Sequence, residues 1–436
     1  MAVLSHKSKF VLASTDSGNK SITGLTFLPK LIMVMPVQGT ASGGRDNNAL
    51  MAFGACTATD EEWSWTVNDQ NGVGTRDSHR RYFNDRFIAI MDTNNESMQY
   101  SAEFVSFDDN GGGDYGFTIN ILDTDGADND VFFIALGGDD LEDVIAYTGQ
   151  TDSTLSGTPP LTEDFVFPIG HQFQPTSAIF AGVGYDTLTT HANDLHVQFG
   201  MTDFTTEFTM GCAGDNGTSA SATDDVNHIA KDDHVFGRLN VDGGTPWDTQ
   251  NPYANSNGFG WEVPDVAPNN YYFGAICFKV SGNYAGDFDT RTSTGDITSE
   301  NTALGFSADV VFAMSDCSTA YNQQVNYHIM FGWTDAVNEG YCTGITADDG
   351  GSGGNTETGR TKQETYLIET INENNSMQGI VELKTINATG LTFEQTNGDS
   401  STKKIQYLAL GGGTTTVQRR HSVLDGARRG VGRGIF

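Results

Sequence analysis

Ala52-Phe53-Gly54, Gln198-Phe199-Gly200-Met201-Thr202-Asp203 and Met330-Phe331-Gly332-Trp333-Thr334-Asp335 read as one strand end written three times. Each follows a second shared stretch, an aromatic that closes a turn before an apolar strand. These are Gly24-Leu25-Thr26-Phe27-Leu28-Pro29, His171-Gln172-Phe173-Gln174-Pro175 and Leu304-Gly305-Phe306-Ser307-Ala308. The spacing from the turn Phe to the Phe-Gly pair is 26, 26 and 25 residues. A fixed interval between matching landmarks is the signature of an internal repeat.

Two further landmarks extend the repeat. Gly116-Phe117, Gly258-Phe259 and Gly390-Leu391 each open a strand-like run. Phe133-Ile134-Ala135-Leu136-Gly137-Gly138 matches Leu408-Ala409-Leu410-Gly411-Gly412 closely and Phe273-Gly274-Ala275-Ile276 more weakly. Asn94-Asn95-Glu96-Ser97-Met98-Gln99 of the first copy matches Asn374-Asn375-Ser376-Met377-Gln378 of the third. The spacing predicts three tandem units over residues 9–143, 144–280 and 281–413, the second carrying an insert at about 245–257, followed by a basic arm over 414–436.

Runs such as Phe87–Met91, Ala102–Phe107 and Phe117–Ile121 are short, apolar or alternating, and bounded by turn formers. Asp108–Asp114 contains three consecutive Gly, which supply left-handed positions for a hairpin loop. The 52 Gly and 10 Pro punctuate short strands, and no long 3.6-residue apolar stripe with caps is present, so helices should be few and short. The expectation is an all-β chain of three jelly-roll-like antiparallel β-sandwiches. In each, the Phe of the Phe-Gly pair should fill the sandwich core while the Gly lets the sheets approach closely. The polar stretches Gly211–Asp225 and Asp348–Gly359 are expected as long exposed loops suited to recognition.

With 56 acidic and 23 basic residues the net charge is −33, which disfavours nucleic acid and anionic membranes as partners. Residues 1–10 lack the apolar stretch of a secretory signal, and Leu31–Val37 is too short to span a bilayer. The five cysteines (Cys56, Cys212, Cys277, Cys317, Cys342) are odd in number and lack a CxxC pair, which argues against a disulfide framework or zinc site and for buried thiols in a reducing cytoplasm.

These landmarks resemble a repeat of the virion structural proteins of tailed bacteriophages, especially environmental and marine ones. The resemblance rests on the turns Phe27-Leu28-Pro29 and Phe173-Gln174-Pro175, the Phe-Gly strand ends and the closing Ala-Leu-Gly-Gly, and it covers residues 9–413. The third copy departs from it with Ser307-Ala308 in place of the turn Pro, and the second lacks the Leu-Gly-Gly close. The resemblance implies a virion protein made in the host cytoplasm, exposed as a tail or fibre component or as a capsid-surface decoration. Other copies and other virion proteins would be its partners, with host-surface glycan a further one, and it carries no catalytic residues to transfer.

No GxSxG elbow, HExxH or P-loop is present, and no cofactor fingerprint. Among the nine His only His196 and His328 match in position, each three residues before a landmark Phe, where a strand residue is the plain reading. Asp123, Asp125, Asp128 and Asp130 bracket a Gly and offer oxygen ligands to a calcium ion, but without the 12-residue spacing and closing Glu of a calcium loop, so an acidic turn is the plainer reading. Arg419, Arg420, Arg428, Arg429 and Arg433 concentrate five of the thirteen Arg in the last 18 residues. These five arginines are expected to dock on the acidic surface of a neighbouring copy. Two alternatives remain: a carbohydrate-binding adhesin using Trp63, Trp65, Trp247, Trp261 and Trp333 as stacking planes, and a virion-associated polysaccharide depolymerase.

Overall fold

The computed structural model describes residues 2–39, 45–92, 96–124, 126–188, 190–219, 226–239, 247–297, 304–335, 339–348, 356–372, 376–387 and 390–413. Among them there is no helix, and every strand pairing is antiparallel.

One strand order recurs three times as a large sheet packed on a small one. The first large sheet runs β1 (Leu4–Leu12), β11 (Asn129–Gly137), β3 (Pro29–Val37), β5 (Ala49–Ala58), β6 (Glu61–Asp69) and β7 (Ser78–Phe83). Its small sheet is β2 (Gly18–Leu25), β10 (Tyr115–Asp123), β9 (Met98–Asp109) and β8 (Ile88–Met91). The second unit repeats this with β12 (Leu141–Gln150), β22 (Tyr272–Val280), β14 (Ser177–Tyr185), β16 (Leu195–Thr202), β17 (Glu207–Gly214) and β18 (Val226–Lys231). Facing them are β13 (Leu161–Val166), β21 (Gly258–Asp265), β20 (Trp247–Asn255) and β19 (Phe236–Arg238). The third has β23 (Gly282–Asp289), β33 (Lys404–Gly413), β25 (Phe306–Ser315), β27 (Tyr327–Thr334), β28 (Tyr341–Ala347) and β29 (Thr358–Gln363). Its small sheet is β24 (Gly295–Ile297), β32 (Gly390–Asn397), β31 (Met377–Asn387) and β30 (Ile368–Ile371). The stretch about 245–257, read above as an insert, carries β20, the counterpart of β9 and β31.

Each large sheet has a seventh strand, and another unit supplies it. β15 (His191–Asn193) of the second unit pairs with β7, and β26 (Gln323–Val325) of the third pairs with β18. β4 (Arg45–Asn47) of the first pairs with β29 and closes the cycle. The register is equivalent at all three sites: Ala192 faces Arg80, Gln324 faces His228 and Asp46 faces Arg360. Each donated strand is followed by a left-handed residue, Asn48 (φ 67°), Asp194 (φ 68°) or Asn326 (φ 67°). Asn and Asp tolerate that conformation better than other side chains, so they turn the chain back into its own unit at little cost.

The exchange makes both faces of every large sheet interior. One face packs on its own small sheet around a private core, such as Ile32, Val34, Phe117, Ile119 and Phe133 in the first unit. The opposite faces of all three large sheets meet in one shared core. This explains why Leu31–Val37 is continuously apolar rather than alternating. The Phe residues of the Phe-Gly pairs lie in the shared core, not in the sandwich cores expected above. The ring centroids of Phe53, Phe199 and Phe331 are 5.4, 5.0 and 4.7 Å apart pairwise, which places all three around one axis. The glycines beside them act on the other face. A Cβ on Gly54, Gly200 or Gly332 would overlap the carbonyl oxygen of Phe87, Val235 or Leu367, so Gly at these positions lets the small sheet approach the large one.

Candidate functional site

The chemistry of this chain is concentrated in the three seams between units. The first strand of each unit lies against the preceding unit, and the end of that unit's Phe-Gly strand accepts its backbone N–H. Ala285 N donates to Asp203 Oδ2 (3.1 Å) and Lys7 N to Asp335 Oδ2 (3.1 Å), while Ala146 N donates to Thr57 Oγ1 (3.0 Å). The shared Thr-Asp of the second and third copies is therefore a seam acceptor, and Thr57 does the same task in the first.

Deeper in each seam, one side chain of the receiving strand meets the donated segment. Arg80 Nη1 donates to the carbonyls of Asn193 (2.7 Å) and Asp194 (2.8 Å). Its guanidinium stacks on Tyr185, and burial, reinforced by the nearby Arg238 charge, lowers its pKa to about 10. In the second–third seam His228 Nδ1 donates to Asn326 O at 2.6 Å, and its ring lies edge-on to His328 at 5.5 Å. Burial holds His328 and His196 well below the usual histidine range, as buried neutral strand residues. In the third–first seam Arg360 pairs with Asp46 (3.3 Å), and Arg45 of the donated strand reaches the buried Glu369.

At one end of the axis the units are also tied by their loops. Arg76 N donates to Thr218 O and Gly217 N to Arg76 O, both at 2.9 Å, while Gly72 N donates to Thr356 O at 2.8 Å. Tyr327 donates to the buried Asp69 (2.8 Å), which also pairs with Arg76. This corrects the expectation of free recognition loops: Gly211–Gly214 belongs to β17, and the described parts of both stretches are knitted to the first unit's loop. Residues 220–225 and 349–355 lie outside the described residues.

The first–second seam also holds an open cleft, with hollows of about 280 and 160 Å3 along it. Pro29, Lys30, Phe107, Asp143 and His171 line the larger, and Asp60, Glu61, Glu62, Asn84, Tyr147 and Pro168 are among the residues lining the smaller. His171 pairs with Glu61 at 3.0 Å. Burial raises the Glu62 carboxyl to about 8, against the opposing pull of Phe104 N, which donates to it at 2.7 Å. That N–H sits at a bulge in β9, where Val105 is the extra residue. Glu207, half-buried, accepts Asn251 N at an irregularity of β20 in the same way (3.1 Å), so a carboxyl at this position clasps a bulged strand in two of the three units.

The other sequence-predicted residues are scattered. Asp123 accepts from Ser101 and Arg86, Asp128 from Ser14 N, and Asp130 pairs with Lys9, while Asp125 lies outside the described residues. Among the described residues no group of three or more His, Cys, Asp or Glu is arranged to hold a metal ion. The five cysteines are free and buried. All five tryptophans are fully buried, so none offers a sugar a stacking face. Arg419, Arg420, Arg428, Arg429 and Arg433 lie outside the described residues. The seam acceptors Asp203 and Asp335 stood inside a quoted landmark, and their shared position was the signal that could have found them. No protein-family model matches the chain, and no curated protein does.

Proposed function

We propose that the chain is a non-enzymatic structural protein of a bacteriophage particle, a tail or fibre component or a capsid-surface decoration that acts through assembly. The supporting observation is the cyclic exchange of β4, β15 and β26 around the Phe53, Phe199 and Phe331 axis. One chain thereby forms a closed block with approximate threefold character, a shape suited to a threefold position on a particle or to the axis of a fibre. Its seams spend their polar groups on holding units together, which fits a building block. The burial of the tryptophans removes the feature on which the adhesin alternative rested.

Sedimentation of the full-length protein over a wide concentration range tests this reading, with electron microscopy of any assembly formed and of phage particles incubated with it. Regular assemblies or particle-bound density support it. A protein that stays monomeric, leaves particles bare and shortens a polysaccharide would replace it with the depolymerase alternative.

A further inference from the structure

We infer that the cleft between the first and second units is the socket for the basic C-terminal arm, residues 414–436, of a neighbouring copy. The inference rests on the assembly reading above and names the surface through which it acts.

The seams differ in charge. At the third–first seam the first strand brings Lys7 and Lys9, which meet Asp335, Glu339 and Glu364. The backbone contact that Lys7 makes is made at the first–second seam by Ala146, so the positions equivalent to Lys7 and Lys9 are Ala146 and Thr148. No cation stands there, and of the three acids that Lys7 and Lys9 meet only Glu339 has an acidic counterpart, Glu61, which pairs with His171; the other two counterparts are Thr57 and Asn84. Asp60 and Asp143 are exposed at the cleft with no ion-pair or hydrogen-bond partner among the described residues. The cations that do line it are engaged: Lys30 donates to Leu141 O, and His171 is held by Glu61.

The cleft also has an apolar rim. Leu28, beside the lining Pro29, is 48% exposed, and Ile169, in the turn between the lining Pro168 and His171, is 96% exposed. An acidic hollow with isolated apolar side chains at its rim calls for a basic segment that carries apolar residues. The arm is such a segment: Arg419-Arg420 precede Val423-Leu424, and Arg428, Arg429 and Arg433 precede the terminal Ile435-Phe436. It leaves β33 after Gly413, next to Gly412, whose N–H is tied to Asp309 (3.0 Å). Fully extended it reaches roughly 75 Å, enough to cross to an adjoining copy. Charge complementarity then sets both the docking rate and the choice of surface.

A charge swap on full-length protein tests the socket. Asp60→Arg with Asp143→Arg reverses the cleft, and Arg428→Asp with Arg429→Asp reverses the arm. Both cleft positions are exposed, but Asp60 holds a left-handed φ of 68° that Arg tolerates less well than Asp, so the first variant should unfold slightly below wild type while Asp143→Arg alone should match it. Each variant alone should require about tenfold higher concentration to assemble, with its arm cut faster by trypsin, and mixing the two should restore wild-type assembly. If the arm variant fails to assemble while the cleft variant is normal, the arm docks elsewhere; the socket is overturned and the assembly reading stands. If wild type stays monomeric with a trypsin-resistant arm, the arm folds back on its own chain and the neighbouring copy is overturned as donor. If wild type neither assembles nor protects its arm, the assembly reading itself fails.

Discussion

On β5 the side chains of Phe53 and Leu50 leave opposite faces of one strand, the first toward the axis and the second into the first sandwich. Both are buried to the same degree, and a residue-by-residue burial profile does not distinguish them. They differ in what they hold together. Leu50 joins a sheet to its own partner sheet, whereas Phe53 joins a unit to two others through Phe199 and Phe331. A repeat taken alone would expose its axis face and leave the edge of β7, β18 or β29 unpaired, a template for aggregation. The three units should therefore unfold together, and the axis core is where that cooperativity resides.

The largest effect should come from truncation on either side of this divide. Phe199→Ala and Phe259→Ala each remove a buried ring and should each cost about 4 kcal/mol in denaturant unfolding. Hydrogen exchange should separate them: Phe199→Ala is expected to raise exchange in all three large sheets, and Phe259→Ala mainly in the second unit. Equal, local effects from both would break the comparison. Gly200→Ala should come next, at about 3 kcal/mol, because the added Cβ overlaps Val235 O and forces the second small sheet away from its partner.

A smaller effect concerns the sandwich side and depends on pH. Glu62 has a folded pKa of about 8 against an ordinary value of 4.5, so between these limits the folded chain binds more protons than the unfolded one. Its contribution to stability is therefore greatest at low pH and falls as pH rises through that window. Glu62→Gln keeps an acceptor for Phe104 N and should flatten this fall between pH 5 and pH 8, read as denaturant midpoints across that range. A variant whose stability tracks wild type across that range would remove Glu62 as the cause. The smallest effect is at the seam, where Asp203→Ala removes the acceptor for Ala285 N and should cost about 1 kcal/mol, read as a shift of the urea midpoint.

Much of the fold was legible because it is written in local chemistry. Turn glycines and short apolar runs are enough to say that the chain is all-β, and the absence of capped 3.6-residue stripes is matched by the absence of helix among the described residues. The Phe-Gly pairs were legible as core, but not as which core. A Phe on a pleated strand buried on both faces carries no local mark of the side it occupies. The second unit's β20 reads as an insert in the sequence because Trp247–Asn255 includes Asn, Gln and Pro, poor strand formers that pairing with β19 and β21 overrides. The cleft was hidden because its walls come from two units, residues within 29–107 on one side and within 142–171 on the other.

The sequence by itself determined the all-β class and the acidic, helix-poor composition, since strand period and turn residues act over a few neighbours. Tertiary structure alone decided that the sandwiches interlock. The donated strands Arg45–Asn47, His191–Asn193 and Gln323–Val325 are three residues long and mostly polar, too short to signal a strand. They become strands because an unpaired edge of another unit waits for their backbone groups, and buried backbone must find a partner.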